Sequence, residues 1–346
     1  MLDVADVAIV GAGLAGTGAA AVLARKGVRV VLIDSHETYP RCFKAEKIEP
    51  DQADLLRKLG LLEGVLPYAS RIHEVTSARN GRVIRVLRLE QYGIFYQDIV
   101  KGVREQLPAS VMWKTARVRD IAPGPDVSHV TLMGGETVSA RLVVLACGTG
   151  GSLHAGPGLN KRMLHADHSL SLGFNIERDG GHAFPFDSLS YYPAGPAAQT
   201  AFLTLFPIRE VMRANLFVYR TPQEEWVSRF RKDPDAELAR TLPGLMAATG
   251  AFRVSSKVEI CPIDLYTVDT PVRPGLVLSY ARNEATLKEM QKTGFKLVTA
   301  ADFLEGREEI GEDERAVITF DGGELVRGGG GARCMTCPIL RDDPWE

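Results

Sequence analysis

Three glycines and a carboxylate near the start of this 346-residue chain have the spacing of a turn that approaches phosphate. Residues 5–10 (ADVAIV) form a short apolar run, Gly11-Ala12-Gly13-Leu14-Ala15-Gly16 follows at once, and residues 14–26 are rich in Ala and Leu, as a helix would be. Gly11 allows the tight turn, Gly13 lets backbone come close to a pyrophosphate, and Gly16 lets the helix pack against the sheet. The helix N-terminus supplies unpaired N–H groups and a partial positive charge. Asp34 ends the next apolar strand, VRVVLID, where its carboxylate can accept from both hydroxyls of a ribose. Strand, turn, helix and acid together point to a dinucleotide site; a tight strand–helix turn without a ligand is the alternative.

A second constellation closes the chain. In GGGGARCMTCPILRD, four glycines stand beside Cys334 and Cys337. A glycine-rich loop lets a substrate approach a nucleophilic thiolate, while the CxxC spacing also suits a redox pair or half a zinc site. No second CxxC or histidine pair at suitable spacing follows, so no metal is expected. The seven histidines are mostly isolated; His165 and His168 read as surface residues. The five cysteines, odd in number and scattered, are expected as reduced thiols, with Cys147 read as a small buried hydrophobe.

The elements that must position these groups predict an α/β chain. Residues 1–164 read as a Rossmann-like βαβ nucleotide-binding domain, with helices over 50–60 and 96–106 and a third buried strand over 141–147 (RLVVLAC). From about 165 to 273 the alternating runs SLSLGFNI, TAFLTLF and ANLFVYR, with one helix near 223–232, predict an antiparallel second domain that would bind substrate. Tyr191, Tyr192 and Phe217 there fit either a buried sheet face or an aromatic pocket. Residues 274–346 form a third segment: the strand GLVLSYA, a helix EATLKEMQKTG capped by Asn283, the strands FKLVTA and AVITF, and an acidic solvated loop near 308–314.

The N-terminal unit followed by SHETYPRCFKAEKIEPDQADLLRKLGL resembles the FAD-dependent aromatic hydroxylases of the p-hydroxybenzoate hydroxylase type, over roughly residues 4–278. The resemblance implies FAD as cofactor, NAD(P)H as reductant, and oxygenation of an aromatic or apolar small molecule. It places Lys44 at the basic position that meets the FAD phosphates and Gln97 where the family has an Arg or Gln touching the flavin nucleotide. An Asp-Gly pair follows the family's third buried strand; here Cys147-Gly148 stands there, and the GTGG beginning at Gly148 can still bring backbone close to a nucleotide. The family's second flavin motif, Gly-Asp-Ala after Pro-Gly-(apolar)₃, is replaced after Pro274-Gly275-Leu276-Val277-Leu278 by Ser279-Tyr280-Ala281-Arg282-Asn283.

From 274 onward the sequence resembles instead the end of arginine deiminase, with a strand–helix–strand module of its α/β propeller and the terminal CMTCPI-x-RD. That resemblance makes Cys334 the nucleophile on a guanidinium carbon and matches Arg327 to the first arginine of a substrate loop whose second is Gly329 here. The deiminase base and clamping carboxylates have no counterpart, since both lie upstream in that family. A fusion joined at 274–278 follows.

A net charge of −2 gives no reason to expect nucleic acid or an anionic membrane as partner, and no apolar run reaches the ~18 residues that span a bilayer. The expectation is therefore a cytoplasmic FAD-dependent monooxygenase. The alternatives are a guanidine-modifying hydrolase working through Cys334 and a nucleotide-binding protein without turnover.

Overall fold

The structure, a computed structural model, describes residues 4–320 except 125, 149–160, 194–198, 269–275, 282–283 and 312. Cys334, Cys337, Arg327, Gly329, Pro274, Gly275 and Asn283 lie outside the described residues. By compactness the chain forms two interleaved units rather than consecutive blocks. The first joins the residues up to Thr38, Gln106–Arg162 and the stretch from Val268; the second joins Tyr39–Glu105 to Met163–Thr267.

In the first unit, β1 (Ala5–Val10) turns through the glycines into α1 (Leu14–Arg25), which leads to β2 (Val30–Asp34). β1 lies between β2 and the strand Thr137–Leu145 and pairs with both in parallel, while Met112–Thr115 extends the parallel set beyond β2. Val118–Ala122 and Ser128–Leu132 complete six strands on an antiparallel side. Ile9 and Leu32 pack under α1 with Ala20 and Ala24, so the alanines of the helix serve its close seat on the sheet. The expected third strand ends at Leu145, and Arg141 and Leu142 within it are exposed, unlike a strand covered on both faces.

The second unit is a nine-stranded sheet with an apolar face and a face of mixed polar and apolar residues. Lys161–Arg178, Thr200–Ile208 and Val211–Val218 form the expected antiparallel ladder; Ser188–Tyr192 adds one parallel pairing, to Ser70–Arg79. The hairpin Ser70–Arg79/Arg82–Gly93 had no clear alternating signal, because most of its second strand is exposed. Leu172, Phe174, Leu203, Leu205, Ala214 and Leu216 line the apolar face beneath Trp226, Phe230 and Leu238 of the helices Glu225–Lys232 and Pro234–Thr241. Tyr191 belongs to this core: its hydroxyl donates to the Pro243 carbonyl at 2.7 Å and accepts from Gly81 N–H at 3.0 Å.

The opposite face carries Arg213, only 1% exposed, whose guanidinium donates to both oxygens of Glu46 at 2.7 and 3.0 Å, to Asn175 at 3.2 Å and to Glu259 at 2.6 Å. Gly173 makes this possible, since a Cβ there would overlap both the guanidinium and the Phe43 ring. Two carboxylates share one buried guanidinium. Burial accordingly pushes the Glu46 carboxyl up from its ordinary range; Arg213 opposes this and Glu259 adds to it.

The stretch from Leu276 builds a sheet of its own instead of entering the nucleotide sheet. Leu276–Tyr280 and Lys296–Thr299 both pair in parallel with Ala316–Phe320, with helices Glu284–Lys292 and Ala300–Leu304 between them. The described acidic residues near 308–314 belong to no helix or strand, as expected.

Removing the buried cation leaves Glu46 without its partner, so Arg213→Leu is expected to cost about 3–5 kcal/mol in urea unfolding. Glu46→Gln keeps Arg213 paired with Glu259 and is expected to cost less than about 1 kcal/mol. A carboxyl raised in the folded state gives stability that is fully present below its unfolded pKa and lost as pH rises through its folded value. Glu46→Gln should therefore gain on the parent chain between acid and neutral pH; a constant difference would contradict the raised carboxyl.

Candidate functional site

The carboxyl ends of β1, β2 and Thr137–Leu145 meet where chain direction switches on the two sides of β1, the place where open α/β sheets bind ligands. Gly11 adopts φ +104°, a conformation that side chains disfavour, and its N–H donates to the Ile33 carbonyl at 2.7 Å. A Cβ on Gly11 would overlap the Ala146 carbonyl and the Cys147 nitrogen, and one on Gly16 would overlap the Gly11 carbonyl oxygen. Both glycines are therefore demanded by backbone meeting backbone. Gly13 precedes α1 in extended geometry and has no side chain to cap it, so the N–H groups of the first turn point outward without an intrahelical acceptor.

Asp34 ties the tip of β2 to this turn. Its Oδ2 accepts from Ala12 N–H at 2.7 Å and its Oδ1 from His36 N–H at 2.8 Å. Gly148, with φ +73°, follows Cys147 in the loop that packs on Gly11; burial pushes the Cys147 thiol up, in keeping with an unreactive side chain.

Lys44 and Gln97 belong to the second unit and come near one another through Tyr96. Lys44 is exposed, donates to the Tyr39 hydroxyl at 3.2 Å and lies 5.1 Å from the Tyr96 ring centre, while Arg104 lies 5.5 Å from that of Tyr39. Gln97 sits in the first turn of the helix Tyr96–Arg104. Its Oε1 is one of three buried side-chain atoms without a partner among the described residues, with Gln91 Oε1 and Arg220 Nε. Such an acceptor suits a donor supplied from outside the chain. Sequence reasoning missed Tyr39 and Arg104, whose roles depend on side chains brought together from distant segments.

On the face of the second unit that carries Arg213, Tyr192, Phe202 and Phe217 are half-buried, with ring centres 6.2 Å apart for the first pair and 4.7 Å for the second. Ser171 and Asn215 lie on the same face. Tyr192 and Phe217 thus stand apart from the core that holds Tyr191. His165 and His168 are exposed, stacked edge to face, and no group of three His, Cys, Asp or Glu among the described residues could hold a metal.

The FAD binding domain family model matches residues 4–242, more than two thirds of the chain. The chain belongs to the FAD binding domain family. Within the chain's own geometry, the glycine turn, the first turn of α1 and Asp34 suit the ADP half of FAD. Residues 270–341 are similar to the arginine deiminase family model, so the two family matches change over between 242 and 270. A 3-amino-4-hydroxybenzoate 2-monooxygenase of Streptomyces platensis is 26% identical over 262 residues, covering 71% of this chain and 62% of that protein. The chain thus spans less than two thirds of this relative. The p-nitrophenol 4-monooxygenase of Pseudomonas putida superposes with a TM-score of 0.60 at 17% identity, over 78% of this chain and 70% of that one. A flavin-dependent halogenase, CmlS, also gives 0.60 at 17% identity, over 78% of this chain and 51% of that one. These two likenesses establish the fold. No helix among the described residues is long and apolar enough to cross a membrane.

The close approach at Gly16 gives a direct test. Gly16→Ala is expected to cost at least about 2 kcal/mol, because backbone must move to admit the methyl group. Gly27→Ala meets nothing within 4 Å and bears only the strain of φ +81°, so its loss should be about 1–2 kcal/mol. Thermal unfolding of the two variants side by side measures the difference, and equal losses would contradict the packing account.

Proposed function

We propose that the chain is an FAD-dependent, NAD(P)H-driven monooxygenase acting on an aromatic small molecule. The observation that carries this reading is the family match over residues 4–242, with its glycine turn built as a dinucleotide demands. The half-buried rings of Tyr192, Phe202 and Phe217 support the aromatic substrate, as does a relative that by name is a monooxygenase of an aminohydroxybenzoate.

FAD, when bound, supplies the redox chemistry that carries electrons from a reduced nicotinamide to dioxygen. The chain's own share is binding, orientation and exclusion of water. Gly11, Gly13 and Gly16 admit the pyrophosphate to the N-terminus of α1, and Asp34 accepts from the ribose while fixing the turn through Ala12 N–H. Lys44 and Gln97 contribute a cation and an acceptor for the nucleotide, and Gly148 admits backbone close to it. Tyr192, Phe202 and Phe217 offer ring faces and edges for an aromatic substrate, with Ser171 and Asn215 as polar groups that set its orientation. The deiminase-like reading through Cys334 rests on the 270–341 similarity.

Reconstitution with FAD should give a yellow protein with flavin absorption bands. Asp34→Ala is expected to weaken retention about tenfold, or ~1.4 kcal/mol. Aromatic acids and phenols should accelerate NAD(P)H oxidation, and labelled dioxygen should place one atom in the product. A protein that binds ADP but neither retains FAD nor oxidises NAD(P)H is a nucleotide binder without turnover. Citrulline formed from arginine, and lost in Cys334→Ala, would move the assignment to a guanidine hydrolase.

A further inference from the structure

The hairpin Ser70–Arg79/Arg82–Gly93 closes through Asn80 and Gly81, at φ +51° and +74°, a two-residue turn whose twist suits the paired strands. The Tyr191 hydroxyl accepts from Gly81 N–H at 3.0 Å, and a Cβ on Gly81 would come within 3.1 Å of the Gly244 carbonyl oxygen. The core thus fixes the turn, and with it Arg79 and Arg82, which flank it and stand directly opposite each other. Like charges so placed destabilise a sheet. Arg85 stands opposite Ser77, two residues before Arg79. The register shift between Ser77 and Ala78 leaves one extra residue on the second strand, so that Arg82 and Arg85, three apart, share the face of Arg79.

Elsewhere on this hairpin the arginines are matched: Arg71 by Glu90 and Arg88 by Glu74, each at 3.2 Å. Arg79, Arg82 and Arg85 are exposed and have no acidic partner among the described residues. The same face continues into the aromatic rings. Arg79 is the register partner of Tyr192, and its guanidinium carbon lies 6.0 Å from that ring centre, within cation–π range. Phe202 follows on the next strand and Phe217, its own register partner, on the one after. A line of three rings therefore ends in unmatched positive charge.

We propose that Arg79 and Arg82, at the end of this row of rings, bind a phosphate carried by the aromatic substrate. A carboxylate engages one guanidinium fork with its two oxygens, whereas a phosphate brings up to two charges and three acceptor oxygens, enough for both arginines together. An anion between them also offsets the repulsion of the facing pair, and Arg85 adds to the attracting field. Arg213, the cation farther along the same face, is already saturated by Glu46 and Glu259 and so does not compete for the ligand. The inference rests on the reading of Tyr192, Phe202 and Phe217 as the substrate face, with the aromatic group on Tyr192 and Phe202 and the phosphate at the turn.

Titration calorimetry on the full chain in saturating FAD tests this, with phenyl phosphate, benzoate, phenol and inorganic phosphate as probes. Phenyl phosphate is expected to bind about tenfold more tightly than phenol or inorganic phosphate, and more tightly than benzoate. Arg79→Gln and Arg82→Gln should each weaken phenyl phosphate about tenfold and leave phenol unchanged. Arg82→Gln removes the like-charge pair, so it should melt no lower than the parent chain, which separates lost binding from lost fold. Equal affinity for phenol and phenyl phosphate, or indifference to both substitutions, overturns the arginine assignment while the aromatic face stands. Inorganic phosphate held as tightly as phenyl phosphate overturns the joint site, because the rings then add nothing. If none of the three aromatic probes binds, the substrate face fails and the proposal with it.

Discussion

The nucleotide unit depends on a contact between backbones. Where β1 gives way to α1, the Gly11 carbonyl touches the helix at Gly16, and the Ala146–Cys147 peptide closes on Gly11 from the neighbouring strand. No side chain fits at either glycine, so the turn cannot loosen without separating three strand ends. Because helix and sheet are this close, the first turn of α1 is held rigidly at the mouth of the switch point, its N–H groups directed outward. Asp34 completes the arrangement by bonding Ala12 N–H, which couples the tip of β2 to the same turn. A phosphate site built on such fixed dipoles needs little reorganisation to accept its ligand.

The second unit solves a different problem with one sheet. Its apolar face is sealed by Trp226, Phe230 and Leu238, while the other face buries a cation among two carboxylates and an amide. A buried guanidinium is tolerable only when it is paired and hydrogen-bonded. Each of the three nitrogens of Arg213 has an acceptor, from the segment before the first hairpin and from two strands far apart in sequence. The network therefore pins Phe43 and Glu46, and with them the segment that carries Lys44, against the sheet.

The stretch from Leu276 follows a third logic. Its first strand, Leu276–Tyr280, pairs with Ala316–Phe320 and closes a small parallel sheet. Leu276, Ala316 and Ile318 form its own cluster, with Ala300 and Ile310 against it. The deiminase-like match begins at 270, between the last strand of the nine-stranded sheet, Glu259–Val268, and the first of this small sheet.

Much of this was legible from local pattern. The glycine spacing, the acid after β2 and the βαβ order follow from rules that act within about forty residues, and the structure realises them with side chains in the expected places. The alternating runs of the second unit were equally readable, because their period matches the pleat. Sequence pattern did not reveal that residues 39–105 pack with 163–267, nor the exposed hairpin Ser70–Arg79/Arg82–Gly93, nor the partners of Arg213. It could not separate Tyr191, whose hydroxyl is bonded within the core, from Tyr192 on the opposite face. Short-range spacing determines which residues can turn, cap or alternate. Which of them meet across one or two hundred residues is decided only when the sheet assembles and buried charges must find their acceptors.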